Sequence, residues 1–136
     1  MLVMDCSAAI EIVRGTEEGM AYRQLTLDGE LTLSSPLLYP ELMSALRKYV
    51  IHGDITSSDA IDMAEQALGL VDRFPDFDSF WREALAESVR LGHSVYDIFY
   101  LLIARREHAA LFSADRRLVE LCEREGVDCI HFDKLV

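Results

Sequence analysis

Short apolar runs and longer stretches with helical spacing alternate along the chain. Four short runs, each bounded by an acid or a turn residue, are typical of buried strands. They cover residues 1–4, 31–33, 110–113 and 127–130. Because helical stretches separate these runs, the pattern predicts an α/β fold. We expect a three-layer α/β/α sandwich whose central, mainly parallel sheet has four to five strands.

The stretches between the runs place apolar residues at intervals of three and four, which predicts helices. The predicted helices cover residues 7–13, 16–27, 42–52, 59–71, 78–91, 94–107 and 116–125. Asp78 is the expected N-cap of the fifth helix, and Gly92 is expected to end it. The sixth helix, which Ser94 is expected to start, is apolar nearly all round, which places it in the centre of the molecule.

Composition predicts one globular domain spanning residues 1–136, since the chain is 51% hydrophobic and 27% charged. Its first residues lack the basic segment of a secretory signal. The longest strongly apolar stretch, residues 98–104, is far shorter than the ~20 residues that cross a bilayer. The three cysteines have no C-x-x-C spacing and are expected to be reduced thiols. These features predict a cytoplasmic protein that does not span a membrane.

The formal net charge of -11 argues against tight, nonspecific binding of nucleic acid, which usually requires a basic surface. A metal-dependent nuclease is still compatible with this charge, because its site needs clustered carboxylates whose charge the bound cation offsets. A basic protein partner is compatible as well.

Four acidic residues occupy positions where predicted helices begin. Asp5 and Asp115 each follow a predicted strand, and the carboxyl ends of parallel strands form one edge of a sheet. Asp97 lies in the first turn of the central helix, and Glu41 lies near the start of the helix after the second strand. We therefore expect the four carboxylates to converge at one edge of the sheet.

Each of these positions also has a purely structural explanation. Asp5 and Asp115 would serve as helix caps. Ser94 and Asp97 match a capping box, in which the acid bonds back to the amide of the cap. Glu41 would interact favourably with a helix dipole. Taken one at a time, the acids do not establish a site.

Taken together, four convergent carboxylates would be electrostatically costly. Two like charges ~4 Å apart repel by roughly 4 kcal/mol at an effective dielectric constant of about 20. Such a cluster persists with raised pKa values or with a cation among its members. Oxygen ligands favour Mg²⁺ or Mn²⁺ over zinc. Because a bound cation of this kind polarises phosphodiesters and activates water, the cluster predicts phosphodiester hydrolysis.

The segments that carry the acids resemble those of PIN domains, specifically the VapC-like group of toxin ribonucleases. LVMDCSAAI resembles the first strand of the family, with its first acid at Asp5 and a hydroxyl residue at Ser7. SSPLLYPELMSALRKYV resembles the second block, whose Glu maps to Glu41. The strongest match, YDIFYLLIARREHAALFSADRRL, carries the third and fourth acids as Asp97 and Asp115.

The resemblance covers nearly the whole chain and implies an endoribonuclease that depends on Mg²⁺ or Mn²⁺. It implies that Asp5, Asp97 and Asp115 bind the metal directly or through water. Glu41 would join them and hold or activate water at the metal, while Ser7 would orient the cluster and contact the substrate. The toxin group further implies an RNA substrate, a cognate antitoxin protein and a homodimer.

Two positions depart from the family pattern. Leu118 is apolar where some members carry another acid, which disfavours a second metal. Pro40 directly precedes Glu41, where it is expected to strain a helix that begins at Pro36.

Basic residues are mostly arginine, whose planar guanidinium suits phosphate contacts. Arg116 and Arg117 directly follow Asp115 and are candidates for gripping the RNA backbone, although a solvated helix face would look the same. The four histidines show neither metal-ligand nor triad spacing and are predicted to be structural or surface residues.

Two other functions remain open from the sequence. A receiver or phosphatase would use Asp5 as a nucleophile. The phosphatase would need a second acid where Ser7 stands, and the receiver would need a late lysine at a strand end, where Lys134 does not lie. A PIN-like module that binds a protein partner without cutting RNA would also fit the pattern.

Overall fold

The computed structural model describes residues 1–136 and contains one sheet of four parallel strands in the order β2-β1-β3-β4. The strands are β1 Leu2–Met4, β2 Thr32–Leu33, β3 Ala110–Ser113 and β4 Cys129–His131. The helices are α1 Cys6–Val13, α2 Glu17–Leu27, α3 Leu38–Ile51, α4 Ser57–Gly69, α5 Trp81–Leu91, α6 Val95–Glu107 and α7 Arg116–Arg124. The predicted α/β class and parallel sheet are confirmed, with four strands. None of the helices is both long enough and apolar enough to cross a membrane.

Both faces of the sheet are buried, which explains why its strands are continuous apolar runs. Val3 and Leu111 point into one core with α5, α6 and α7. Leu2, Met4 and Phe112 point into a second core with α1, α2, α3 and α4. Successive strand residues therefore alternate between two cores, and the predicted three-layer sandwich is confirmed.

The expected N-cap of α5 is wrong. Asp78 lies inside a short 3₁₀ turn, Phe77–Ser79, which Asp76 caps by accepting a hydrogen bond from the Asp78 amide. The helix starts only at Trp81, after the 3₁₀ turn. Asp78 thus belongs to the 3₁₀ turn that precedes α5 and does not cap the helix.

The strain expected at Pro40 is also absent. Helix α3 begins at Leu38, so Pro40 is its third residue. The first four amides of a helix have no partner within it, and a proline there removes no hydrogen bond. The Glu41 amide donates to the Leu37 carbonyl at 3.1 Å, so the helix continues normally into the acid.

Candidate metal centre at the carboxyl edge of the sheet

Asp5 lies at the carboxyl end of β1, where the chain turns into α1, and its side chain is almost fully buried at 4% exposure. Its Oδ1 accepts hydrogen bonds from the Ser7 hydroxyl at 2.7 Å and from the Ala8 amide at 2.8 Å. Its Oδ2 accepts from the Ser113 hydroxyl at the end of β3. Asp5 is therefore a helix cap, and it is also held rigidly by groups from two neighbouring strand ends.

Ser7 connects the two strand ends that the sequence placed together. Its oxygen accepts a hydrogen bond from the Ala114 amide at 2.8 Å and lies 3.2 Å from the Ser113 oxygen. Ser113 in turn accepts from the Asp115 amide at 3.0 Å. The hydroxyls of Ser7 and Ser113 thus orient Asp5 and fix the loop that carries Asp115.

Glu41 lies in the first turn of α3 and faces α6. Its Oε1 accepts a hydrogen bond from the Tyr100 hydroxyl at 3.1 Å, and Tyr100 is only 1% exposed. The apolar character of α6 predicted its central position, and Tyr100 brings a hydroxyl into that centre. One oxygen of Glu41 is therefore anchored to α6, and the other is not.

Asp97 lies in the first turn of α6, but the capping box expected there does not form. Ser94 makes no side-chain hydrogen bond to the helix, and Asp97 does not bond back to its amide. Instead, Nε2 of His93 donates to Oδ2 of Asp97 at 2.8 Å. The capping box predicted for Ser94 and Asp97 is thus wrong, and Asp97 bonds to His93 instead.

Asp115 lies at the same edge of the sheet, but its carboxylate bonds to the start of its own helix, α7. It caps the helix by accepting a hydrogen bond from the Arg117 amide at 2.9 Å. Its charge is not among those that raise the pKa values of Asp5 and Glu41. Of the four acids, Asp5, Glu41 and Asp97 therefore interact electrostatically, whereas Asp115 lies beside them without sharing that interaction.

Electrostatics shows that Asp5, Glu41 and Asp97 interact. Burial raises the pKa of Asp5 from 3.8 to about 6 against the lowering effect of its hydrogen bonds, and the charge of Asp97 adds to the rise. Burial likewise raises the pKa of Glu41 from 4.5 to about 7, with further contributions from Asp97 and Asp5. Desolvation and mutual repulsion both disfavour the charged forms. The pKa of the neighbouring Cys6 thiol rises to about 12 for the same reasons, so it remains a neutral thiol.

These carboxylates have no lysine or arginine to offset their charge. Asp5 and Glu41 form no ion pair, and Asp97 has only the His93 imidazole. No three His, Cys, Asp or Glu side chains are gathered into a complete ligand set. The donor type nevertheless fits a hard divalent cation, and Mg²⁺ usually binds through one or two carboxylates and keeps several waters. The residues present therefore fit Mg²⁺ or Mn²⁺ with water as the remaining ligands.

The two arginines proposed for substrate contact differ in their surroundings. Arg116 is 71% exposed and pairs with Asp133 at 2.7 Å. Arg117 is exposed and forms no ion pair, so its charge is free for a ligand. Leu118 is fully buried in the apolar core, where a charged carboxylate would lose its hydration.

Two residues of the site escaped the sequence analysis, namely His93 and Tyr100. His93 precedes Asp97 by four residues, a spacing that brings side chains together around one helix turn. That spacing was the available signal for His93, and it was missed because His93 lies outside the helix. Tyr100 bonds to Glu41, which is distant in the sequence, and it was missed because it reads as a core residue in an apolar stretch.

Comparisons with known proteins agree with this architecture. The family model of the PIN domain matches residues 2–124. The crystal structure of PAE2754 from Pyrobaculum aerophilum is similar with a TM-score of 0.73, at 19% sequence identity, over 98% of this chain and 90% of that one. At this identity, the likeness shows the fold alone. No curated protein matches the chain.

PIN domains are generally nucleases and often depend on metal. Because the family model covers most of its length, the chain belongs to the PIN domain family.

Proposed function

We propose that this protein is a divalent-metal-dependent endoribonuclease that hydrolyses RNA phosphodiester bonds. One observation carries the proposal: Asp5, Glu41 and Asp97, none of which pairs with a lysine or arginine, interact electrostatically at the carboxyl edge of a PIN-type sheet, and burial raises the pKa values of Asp5 and Glu41. Maintaining buried, unpaired negative charge destabilises a fold, so such groups are candidates for function.

The residues have distinct roles in the proposed reaction. The chemistry supplied by a bound Mg²⁺ or Mn²⁺ is polarisation of the phosphodiester and activation of water. Asp5 and Asp97 would hold the cation, and three hydrogen-bond donors keep the Asp5 carboxylate in a fixed orientation. Asp115, whose carboxylate caps α7, would contribute to the site through water.

Glu41 is suited to proton transfer as well as to binding. Burial raises its pKa to about 7, close to the pH at which a general base works best. Tyr100 holds Oε1 in place, so Oε2 is the oxygen left to take a proton from the attacking water. Arg117 would contact a phosphate of the RNA beside Asp115, with Arg116 assisting.

A mixed RNA pool tests the activity on many RNA sequences and shapes at once. We expect fragments in the presence of Mn²⁺ or Mg²⁺, and none with EDTA, and the mapped ends would identify the cut site. Metal binding without cleavage of any RNA would favour a PIN domain that acts only as a protein-interaction module. Cleavage that persists in EDTA would contradict the proposal.

We further propose that the nuclease is the toxin of a toxin–antitoxin pair and forms a homodimer in the cytoplasm. Its resemblance to VapC-like toxins supports this, and the net charge of -11 suits a basic antitoxin segment. A groove of about 480 Å³ between α3 and α4 offers apolar surface to a protein partner, including Tyr39, Met43 and Ile61.

Expression and co-purification test the toxin role. We expect the protein alone to arrest growth, and the small protein encoded beside its gene to relieve that arrest and to co-purify with it. Light scattering of the purified chain should give the mass of a dimer. A monomer that ignores the neighbouring protein would contradict the toxin proposal while leaving the nuclease proposal intact.

A further inference from the structure

His93 is held firmly in the connection between α5 and α6. Gly92 ends α5 with φ of 62°, a left-handed conformation that glycine adopts without strain. The His93 amide then donates to the Ser88 carbonyl at 3.2 Å, and the Ser88 hydroxyl donates to the His93 carbonyl at 2.6 Å. The His93 side chain is only 9% exposed. Its backbone and its ring are therefore both fixed before α6 begins.

The imidazole of His93 contacts one oxygen of Asp97. Nε2 lies 2.8 Å from Oδ2, and because a carboxylate can only accept, Nε2 carries the proton. Oδ1 of Asp97 accepts no hydrogen bond from the protein. The bond therefore divides the carboxylate into one anchored oxygen and one open oxygen.

Asp97 depends on this one bond more than Asp5 depends on any single partner. Asp5 has three donors and is almost fully buried, whereas the Asp97 side chain is 28% exposed and has His93 alone. Without that partner, Asp97 would exchange among rotamers, and binding a cation would have to overcome the lost side-chain entropy. Groups that hydrogen-bond to metal ligands typically change metal affinity or activity by about 10–100-fold.

We propose that His93 is the positioning residue of Asp97. It fixes the carboxylate through Oδ2 and leaves Oδ1 to the divalent cation. The inference rests on the proposed nuclease function and deepens it, since it assigns His93 a role that acts through Asp97.

Two substitutions of similar size separate positioning from packing. His93→Gln can place an amide N–H near the position of the imidazole Nε2, whereas His93→Met fills the space without a donor. We expect His93→Met to weaken Mn²⁺ binding by about 10–100-fold, measured from the free Mn²⁺ signal in electron paramagnetic resonance. His93→Gln should recover most of the affinity. His52→Ala, at the exposed end of α3, should match the wild type and serves as the control.

Cleavage kinetics provide a second readout. In His93→Met, kcat at a fixed subsaturating Mn²⁺ concentration should fall while KM for RNA changes little, because the variant leaves the RNA-binding surface intact. Equal Mn²⁺ affinity in wild type, His93→Met and His93→Gln would overturn the inference, even if both variants melt at lower temperature. Wild-type protein that binds no Mn²⁺ would overturn the nuclease proposal together with this one.

Discussion

The molecule has two acid-rich regions, and they treat their charges in opposite ways. At the carboxyl edge of the sheet, Asp5 and Glu41 have no basic partner and their pKa values are raised. Where α5 and α6 lie beside the end of α7, three acids pair with three arginines in what we term the ion-pair network. The network consists of Glu83, Glu87, Arg90, Arg105, Arg106 and Glu125.

Glu87 shows the contrast most clearly. Arg90 lies 2.6 Å and Arg105 lies 3.3 Å from its carboxylate, and hydrogen bonds from Arg90 lower its pKa. In this region, which has no proposed chemical role, the acids are therefore paired with arginines that stabilise their charged forms. Leaving Asp5 and Glu41 unpaired costs stability, which proteins tolerate at functional sites. The two regions thus separate acids that support the fold from acids that support chemistry.

The largest expected effect is loss of RNA cleavage in Glu41→Gln. Glutamine keeps an oxygen for Tyr100 but can neither carry the negative charge nor take a proton. We expect single-turnover cleavage to fall by more than about 100-fold, beyond what loss of an outer partner typically costs. Glu87→Gln is the matched control and should cleave like the wild type. Equal activity in both variants would erase the proposed distinction between the two regions.

Asp5→Asn should stabilise the metal-free protein at neutral pH. Burial raises the pKa of Asp5 from 3.8 to about 6. Below pH 3.8 the carboxyl is mostly protonated in both the folded and the unfolded protein, so its shifted pKa does not lower stability there. The free energy of unfolding then falls as pH rises through this interval, by about 3 kcal/mol in total. Asparagine lacks this cost but has one accepting oxygen for three donors, so we expect a net gain of about 2 kcal/mol at pH 7.5.

Urea unfolding in EDTA at pH 4 and at pH 7.5 measures this effect. The advantage of Asp5→Asn over the wild type should largely disappear at pH 4, where the wild-type carboxyl is protonated. A variant that is less stable than the wild type at both pH values would mean that the hydrogen bonds of Asp5 outweigh its desolvation.

Glu87→Gln should lower stability by up to about 1 kcal/mol, the upper range for ion pairs near the surface. The side chain is 16% exposed, and its loss leaves Arg90 and Arg105 with fewer partners. The cost should shrink in 1 M salt, because screening weakens such pairs. An unchanged urea midpoint at low and high salt would show that the network contributes nothing measurable.

The smallest effects are expected from the two arginines that follow Asp115. Arg117→Glu should raise KM for RNA several-fold and should reduce the slope of log affinity against log salt by about 0.7 per lost phosphate contact. Arg116→Glu should have less effect, because Asp133 already pairs with Arg116. Reversing both charges should weaken binding without unfolding the protein. Unchanged cleavage in the double variant would remove both residues from the substrate surface.

Much of the fold followed from local patterns. The ends of each predicted strand lie within two residues of the observed ends. Buried parallel strands are short apolar runs, and bordering residues such as Asp5 and Gly126 mark where they begin or end. Boundaries failed where two local signals compete. Asp78 resembles a helix cap, yet Asp76 captures its amide first and forms a 3₁₀ turn.

The site was only partly accessible from the sequence. Strand ends predicted the meeting of Asp5 with the loop of Asp115, since parallel strands share an edge. The four-residue spacing of His93 and Asp97 was a signal for their contact, but spacing alone does not decide between that contact and a capping box at Ser94. Which acids interact electrostatically depends on burial and on side-chain direction, and these arise only from packing.

The most direct test of the central claim compares wild type, Asp97→Asn and Glu87→Gln on an RNA that the wild type cleaves. Each protein is assayed with Mn²⁺, with Mg²⁺ and with EDTA. The account predicts cleavage by wild type and Glu87→Gln that requires metal, and no cleavage by Asp97→Asn under any condition. Metal-dependent cleavage by Asp97→Asn at the wild-type rate would contradict it.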